Sequence, residues 1–261
     1  MSEPEQVVPE PVSALAPPLR GPVLMHQHWR DLTYVHWAVD PDRVAHLMPD
    51  GVRPDELDGR TYVGLVPFRM VGAAPGRRAR GLPWLGTFLE TNLRLYSVDS
   101  TGRRGVVFLS LDCDRLPVVL GARAGFGVPY RWAAMSHRHS VGPAGEEHVY
   151  TSRLRLRLRR RPVTSRVAVR VGAPREPTEL DHFVSARWGL HTRWAGRSLY
   201  VPNAHEPWPL REAELVGLGG NLLPSAGFGD LARRTPDHVA FSHGVHAEFG
   251  LPGDARRPRR D

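Results

Sequence analysis

The chain has 261 residues, 41% hydrophobic and 24% charged, enough to bury a core in one large domain or two small ones. No stretch approaches the roughly 18 uninterrupted apolar residues of a membrane span, no basic-then-apolar leader is visible, and a single cysteine, Cys113, excludes an internal disulfide and a cysteine-based zinc cluster. The expectation is a cytoplasmic protein whose net charge of +8 is local: residues 151–161 and 254–261 account for it, and all 35 basic side chains are arginine.

Residues 1–22, rich in Pro, Glu, Ala and Val, read as a disordered lead, and 252–261 as a basic disordered tail. The interval 23–251 has no linker and no repeat, so a single domain is expected. "HQHW" (26–29) places two histidines on one face of an extended segment. "DPDRVAHLMP" (40–49) is a short helix, with Asp40 as cap and Pro41 at its first position. "RTYVGLVPFRMV" (60–71) is a strand, and "TNLRLYSVD" (91–99) with "VVFLSLDC" (106–113) form a hairpin around "STGRRG". "GFGVPYRWAAM" (125–135) delivers Tyr130 and Arg131 after Pro129, which biases Val128 toward an extended backbone. "SHRH" (136–139) is a second histidine pair. "SRLRLRLRR" and "RVAVRV" (166–171) form a second hairpin, and "TELDHFVSARWGLH" (178–191) is a helix capped by Thr178. "NAHEPWPL" (203–210) is a rigid loop held by Pro207 and Pro209, and "GLGG" (217–220) reads as a turn.

Alternation puts Glu90, Asn92, Arg94 and Tyr96 on one strand face. Periodicity alone allows that face to be a polar cavity wall or a solvated exterior. In a cavity, Arg94 can clamp a carboxylate and a desolvated Glu90 can act as general acid or base. Tyr130 beside Arg131 can donate a proton or hold an oxyanion, or else cap a cavity with its ring. His205, Glu206 and Trp208 can line a pocket mouth, although Trp208 as a simple anchor is an equal reading. Neither histidine pair has a third ligand fixed by spacing, so no metal and no cofactor are expected. The arginine strand 153–161 invites a nucleic-acid or anionic-surface reading. Its alternating leucines and the lack of interleaved aromatics argue against nucleic acid, and Cys113 fits a small core residue.

Taken in order, "QHWRDLTYVHWAVDPDRVAHLMPDGV", "DGRTYVGLVPFRM", "FLETNLRLYSVDSTGRRGVVFLSLD", "GVPYRWAAM" and "HEPWPLREAEL" resemble the YqjF-like family, a bacterial group of unknown function in the acetoacetate decarboxylase-like superfamily. The resemblance spans about residues 25–215. It implies a β-rich α+β fold, a closed, bent antiparallel β-barrel around a cavity with a few flanking helices, and association into homo-oligomers. It also turns the Glu90 face inward. In true acetoacetate decarboxylases a Gly-x-Pro-Lys segment supplies a lysine for an imine with the keto acid; "GVPYR" has Tyr130 at that place, and Glu90 corresponds to the family's strand glutamate. An imine needs a primary amine, and this chain has no lysine, so Schiff-base decarboxylation is excluded. The implied function is binding of a small organic acid or carbonyl metabolite, with Glu90 and Tyr130 catalytic and Arg94, Arg131, Asn92, Tyr96, His205 and Trp208 holding the ligand. Imine-free lyase, isomerase, dehydratase or hydrolase chemistry fits that set. So does a non-catalytic sensor or carrier.

Overall fold

The computed structural model describes residues 7–143, 145–155 and 162–256. Its elements begin with β1 (Met25–Val39), α1 (Asp42–Ala45), β2 (Val52–Pro54), β3 (Thr61–Pro75), β4 (Phe88–Asp99) and β5 (Arg104–Cys113). Then come α2 (Leu116–Phe126), β6 (Tyr130–Gly142), β7 (Gly145–Leu154), β8 (Thr164–Pro174) and α3 (Glu179–Ser185). The chain continues through β9 (Gly189–Trp194), β10 (Arg197–His205), β11 (Leu210–Gly220), α4 (Leu222–Ser225), β12 (His238–Phe249) and β13 (Gly253–Asp254). No helix among the described residues is long and apolar enough to cross a membrane.

Hydrogen-bonded neighbours return to their starting point along two routes. The path β4-β5-β6-β7-β8-β11-β12-β1-β3 closes a nine-strand ring through the β4–β5 pair. A second path, β5-β9-β10-β12-β1-β3-β4, closes a seven-strand ring, so five strands form a wall common to both. Most pairs are antiparallel, but β5 is parallel to both β6 and β9. A parallel neighbour needs a crossover, and α2 supplies it between β5 and β6.

The common wall explains the two-sided sequence pattern. On β4, Leu93 and Leu95 join the main apolar core, while Glu90, Asn92 and Arg94 face a cavity on the other side. On β3, Val63 and Leu65 take the core side and Val66, Phe68 and Met70 the cavity side. Irregularities switch this parity, two of them on β1 and β5. Between Arg30 and Val35 the β1–β3 register shifts, with Asp31 at φ 53°, so Gln27 and Trp29 face the cavity before it and Tyr34 after it. Between Leu93 and Arg94 the β4–β5 register shifts, so Phe108 and Leu111 both reach the cavity. An extra residue re-aims every side chain beyond it.

The 40–49 helix shrinks to α1, with Asp40 Oδ1 accepting from the Asp42 N–H at 2.9 Å. The 178–191 helix stops at Ser185 because Gly189 already starts β9. Thr178 caps it through a capping box with Asp181. Helix α2 has no counterpart in the sequence reading; Pro117 sits in its first turn and Gly127, at φ 65°, ends it in the left-handed conformation. "GLGG" is not a turn but the end of β11, paired with β8 from Gly217↔Ala168 to Gly220↔Ser165. Residues 7–22 form no strand or helix. The carbonyls of Val7, Glu10 and Ser13 accept hydrogen bonds from Arg53, Arg104 and Trp188 of the domain.

Candidate ligand cavity

The seven-strand ring encloses a cavity of about 480 Å³, within the range of small-molecule sites. Its walls are mainly apolar, with Phe68, Phe88, Phe108, Val128 and Phe249 among them. Polar groups gather at two places separated along β4 by roughly 13 Å, four residues of strand rise.

Glu90 marks the first place. Its side chain is 2% exposed, and the Tyr130 hydroxyl donates to Oε2 at 2.6 Å. Burial pushes the Glu90 carboxyl up to about 7, with hydrogen bonds from Tyr130 and Asn92 offsetting part of the rise. No cation forms an ion pair with it among the described residues. Burial, and then the adjacent carboxylate, drive the Tyr130 phenol well above its ordinary value. Asn92 Oδ1 is buried without a hydrogen-bond partner among the described residues.

The second place holds two guanidinium groups. Arg94 donates from Nε to the Tyr96 hydroxyl at 3.0 Å and from Nη2 to the Val184 carbonyl at 2.9 Å, and it ion-pairs with no carboxylate among the described residues. Arg187, 4% exposed, donates to Asp55 and from Nε to the Phe183 carbonyl at 2.5 Å. Asp55 also accepts from Arg104, so one carboxylate serves two cations. Arg187 Nη2 and Asn203 Oδ1, on two lining residues, are buried without partners among the described residues. Both guanidiniums pack on the Tyr96 ring, with Cζ 5.5 Å (Arg94) and 5.0 Å (Arg187) from its centroid.

Behind Arg94 runs a buried chain of hydrogen bonds. Tyr96 Oη lies 2.6 Å from His36 Nε2, His36 Nδ1 lies 2.9 Å from His238 Nδ1, and His238 Nε2 lies 2.8 Å from Asp181 Oδ1. Burial, then His238 and Arg94, hold the His36 imidazole well below its usual range, so it is neutral at pH 7.

His205 and Trp208 line the cavity beside Trp29. The indoles of Trp29 and Trp208 stack at 5.8 Å with a 5° interplanar angle, and Trp208 Nε1 donates to the Ser185 carbonyl at 3.2 Å. Anchor and lining are therefore one role. His205 Nδ1 donates to the Glu206 carbonyl at 2.7 Å, leaving Nε2 as its acceptor. Burial lowers this imidazole to about 4.

Six of the eight expected residues thus border one cavity: Glu90, Tyr130, Asn92, Arg94, His205 and Trp208. Arg131 does not. It follows Tyr130 directly in β6, so it points to the opposite sheet face, where Nε and Nη2 donate to Asp112 Oδ1 at 2.9 and 2.6 Å. Tyr96 is on the inward face but lies behind Arg94 and is fully buried. Sequence reasoning missed Arg187 and Asn203. Asn203 opens the Pro-pinned segment already under suspicion, whereas Arg187 sits between α3 and β9 with no periodic signal. Of the arginine strand, Arg153 and Leu154 end β7, and residues 156–161 lie outside the described residues. Cys113 is buried, and burial raises its thiol far above the usual range.

Residues 26–246 match the DUF2071 family, an uncharacterized conserved protein. YqjF of Bacillus subtilis (strain 168), itself uncharacterized, is 32% identical over 197 residues, covering 73% of this chain and 76% of YqjF. Among solved structures, the acetoacetate decarboxylase of Legionella pneumophila superposes with a TM-score of 0.57 at 13% identity, over 90% of this chain and 86% of that one. The enduracididine biosynthesis enzyme MppR, in complex with pyruvate, gives 0.56 at 16% identity, over 90% and 91%. Those identities speak to the fold alone. Two closed rings sharing a wall, a cavity in one of them lined by Glu90, Asn92 and Arg94, and a match over most of the chain lead to one assignment: this chain belongs to the DUF2071, or YqjF-like, family and has the acetoacetate decarboxylase-like fold.

Proposed function

We propose that the cavity binds a small organic acid bearing a carbonyl group and an apolar body, and moves a proton on it without an imine. Arg94 and Arg187 take the carboxylate, whose oxygens supply the acceptors that the guanidinium groups lack. The apolar walls take the carbon chain. Glu90 accepts a proton from the ligand and returns it, while Tyr130 steadies a developing oxyanion by donating from its hydroxyl.

The observation that carries this reading is Glu90: a buried carboxyl in a cavity wall, bonded to a phenol rather than a cation, with its proton affinity brought up to about 7. A purely structural glutamate at such a position would be expected to have a cationic partner. Pyruvate, found in the MppR complex, joins a carboxylate to a carbonyl; the distance between the two polar places here suits a longer acid whose carbonyl stands several carbons from its carboxylate, with the apolar walls taking the carbons between. A cytoplasmic site of action accords with a lone, unpaired cysteine. Association of copies into homo-oligomers follows the superfamily.

Thermal-shift titration with longer oxo acids whose carbonyl is remote from the carboxylate, and with pyruvate as the short comparison, tests binding, and mass spectrometry of the recovered acid tests turnover. Stabilisation by at least one acid is expected, weakened tenfold or more by Arg94→Gln. Turnover is expected to vanish in Glu90→Gln and Tyr130→Phe. Stabilisation without consumption would instead establish a sensor or carrier, and no stabilisation by any of the acids would remove the proposal.

A further inference from the structure

The histidine pair of "SHRH" gains in three dimensions the ligands that its spacing could not specify. His139 and His148 are directly opposed across the β6–β7 hairpin, and Glu146 lies two residues before His148 on the same face. His139 Nε2 and His148 Nε2 lie 3.3 and 2.9 Å from Glu146 Oε1, and the three ligand atoms all fall within 4.8 Å of one another. From β12, His243 brings its Nε2 to 3.8 Å from the other oxygen of Glu146. None of these residues borders the ligand cavity.

We infer that His139, Glu146, His148 and His243 form a binding site for a divalent transition-metal ion of the zinc class at one end of the nine-strand ring. The spacing is the first argument. Ligand atoms at 2.0–2.1 Å from a tetrahedral ion are separated by roughly 3.3 Å, so the two histidine–Glu146 separations of 3.3 and 2.9 Å already stand near two edges of such a tetrahedron. The donor set is the second: three imidazoles and one carboxylate suit zinc and its neighbours, and poorly suit magnesium or calcium, which take oxygen donors. The third is the support around His148, which is 1% exposed. Its Nδ1 lies 2.9 Å from His137 Nε2, the outer hydrogen bond that fixes a metal-bound imidazole, and Phe241 packs on both His148 and His243 with centroids at 4.6 and 5.1 Å. A second grouping, Asp31, His137 and His148, is less suited because Asp31 already accepts from Arg69 at 2.6 Å. The ion would tie the tip of the β6–β7 hairpin to β12, and His137 is a positioning residue.

The test uses the full chain without a histidine tag, stripped with chelator and titrated with Zn(II) by calorimetry and with Co(II) by visible absorption. One equivalent is expected to bind, with the intense Co(II) bands of a low-coordinate site, and Zn(II) is expected to raise the melting temperature. His139→Ala and His243→Ala, at half-exposed positions, are expected to weaken Zn(II) binding at least tenfold while the metal-free circular dichroism stays unchanged. His137→Phe is expected to weaken it by about 10–100-fold. His246→Ala, which alters the separate cluster where His246 meets His26 and His28, is expected to leave it intact. Absence of one-to-one binding, or binding indifferent to His139→Ala and His243→Ala, would overturn the inference.

Discussion

The Tyr130 hydroxyl reaches Glu90 Oε2 at 2.6 Å across an intervening strand: Glu90 sits opposite Cys113 on β5, and Tyr130 opposite Leu111 of the same strand. The bond favours the ionised carboxylate and so opposes the effect of burial. Tyr130→Phe removes it. The Glu90 titration midpoint is then expected to move upward from about 7, readable by carbon NMR of the labelled side-chain carboxyl.

Glu90 also links stability to pH, with an unusual sign for an acid. Its folded-state value of about 7 exceeds the ordinary 4.5, so between those values the folded protein holds a proton that the unfolded chain has released. Stability from this group therefore falls as pH rises through that window, by about 3 kcal/mol at most. Glu90→Gln is expected to flatten this dependence and to be more stable than the parent protein above pH 7. Urea denaturation at pH 5 and pH 8 measures both.

Arg131 and Arg94 separate fold from binding. Arg131 neutralises the fully buried Asp112, whose other oxygen accepts from Ser152 at 2.7 Å. Arg131→Ala leaves that carboxylate without its cation and is expected to cost about 3 kcal/mol in urea denaturation. Affinity for a stabilising acid should stay unchanged. Arg94→Ala is expected to do the reverse, losing affinity tenfold or more with a smaller loss of stability.

Gly64 lies between His36 on one neighbouring strand and Arg94 on the other. A Cβ there would stand 2.8 Å from His36 Nε2 and 3.2 Å from Tyr96 Oη. Gly64→Ala is expected to separate those two groups, destabilise the fold by about 1–3 kcal/mol and loosen Arg94. Tyr96→Phe removes the same hydroxyl without a clash. Both variants should weaken acid binding, and opposite effects would show that the chain behind Arg94 does not position it.

Much of the site is legible because β4 itself is regular, the extra residue of the β4–β5 shift lying on β5: alternation alone groups Glu90, Asn92 and Arg94. Arg131 was misplaced for the same physical reason. Delivered together after Pro129, Tyr130 and Arg131 read as acting at one point, but as the first residues of β6 they must diverge. Arg187 was invisible because it lies in a short irregular link, fixed by its contacts to Asp55 and Phe183. Helix α2 was hidden by its Val-Val pair and internal glycines, and the end of β11 by glycines that carry no side chain from which to read alternation. The parity switches arise from register, which a single strand's sequence does not encode.

The long pairing of β1 with β12, from Met25↔Phe249 to His36↔His238, sets an order on how this molecule acquires its shape. Local hairpins such as β4–β5 and β6–β7 can zip early, but neither ring can shut until a segment some two hundred residues downstream returns to the first strand. A ribosome-bound intermediate lacking residues 238–249 would present β1, β10 and β11 with unfilled hydrogen-bonding edges, the condition that invites self-association. Late closure of that seam is the slow step that the topology imposes.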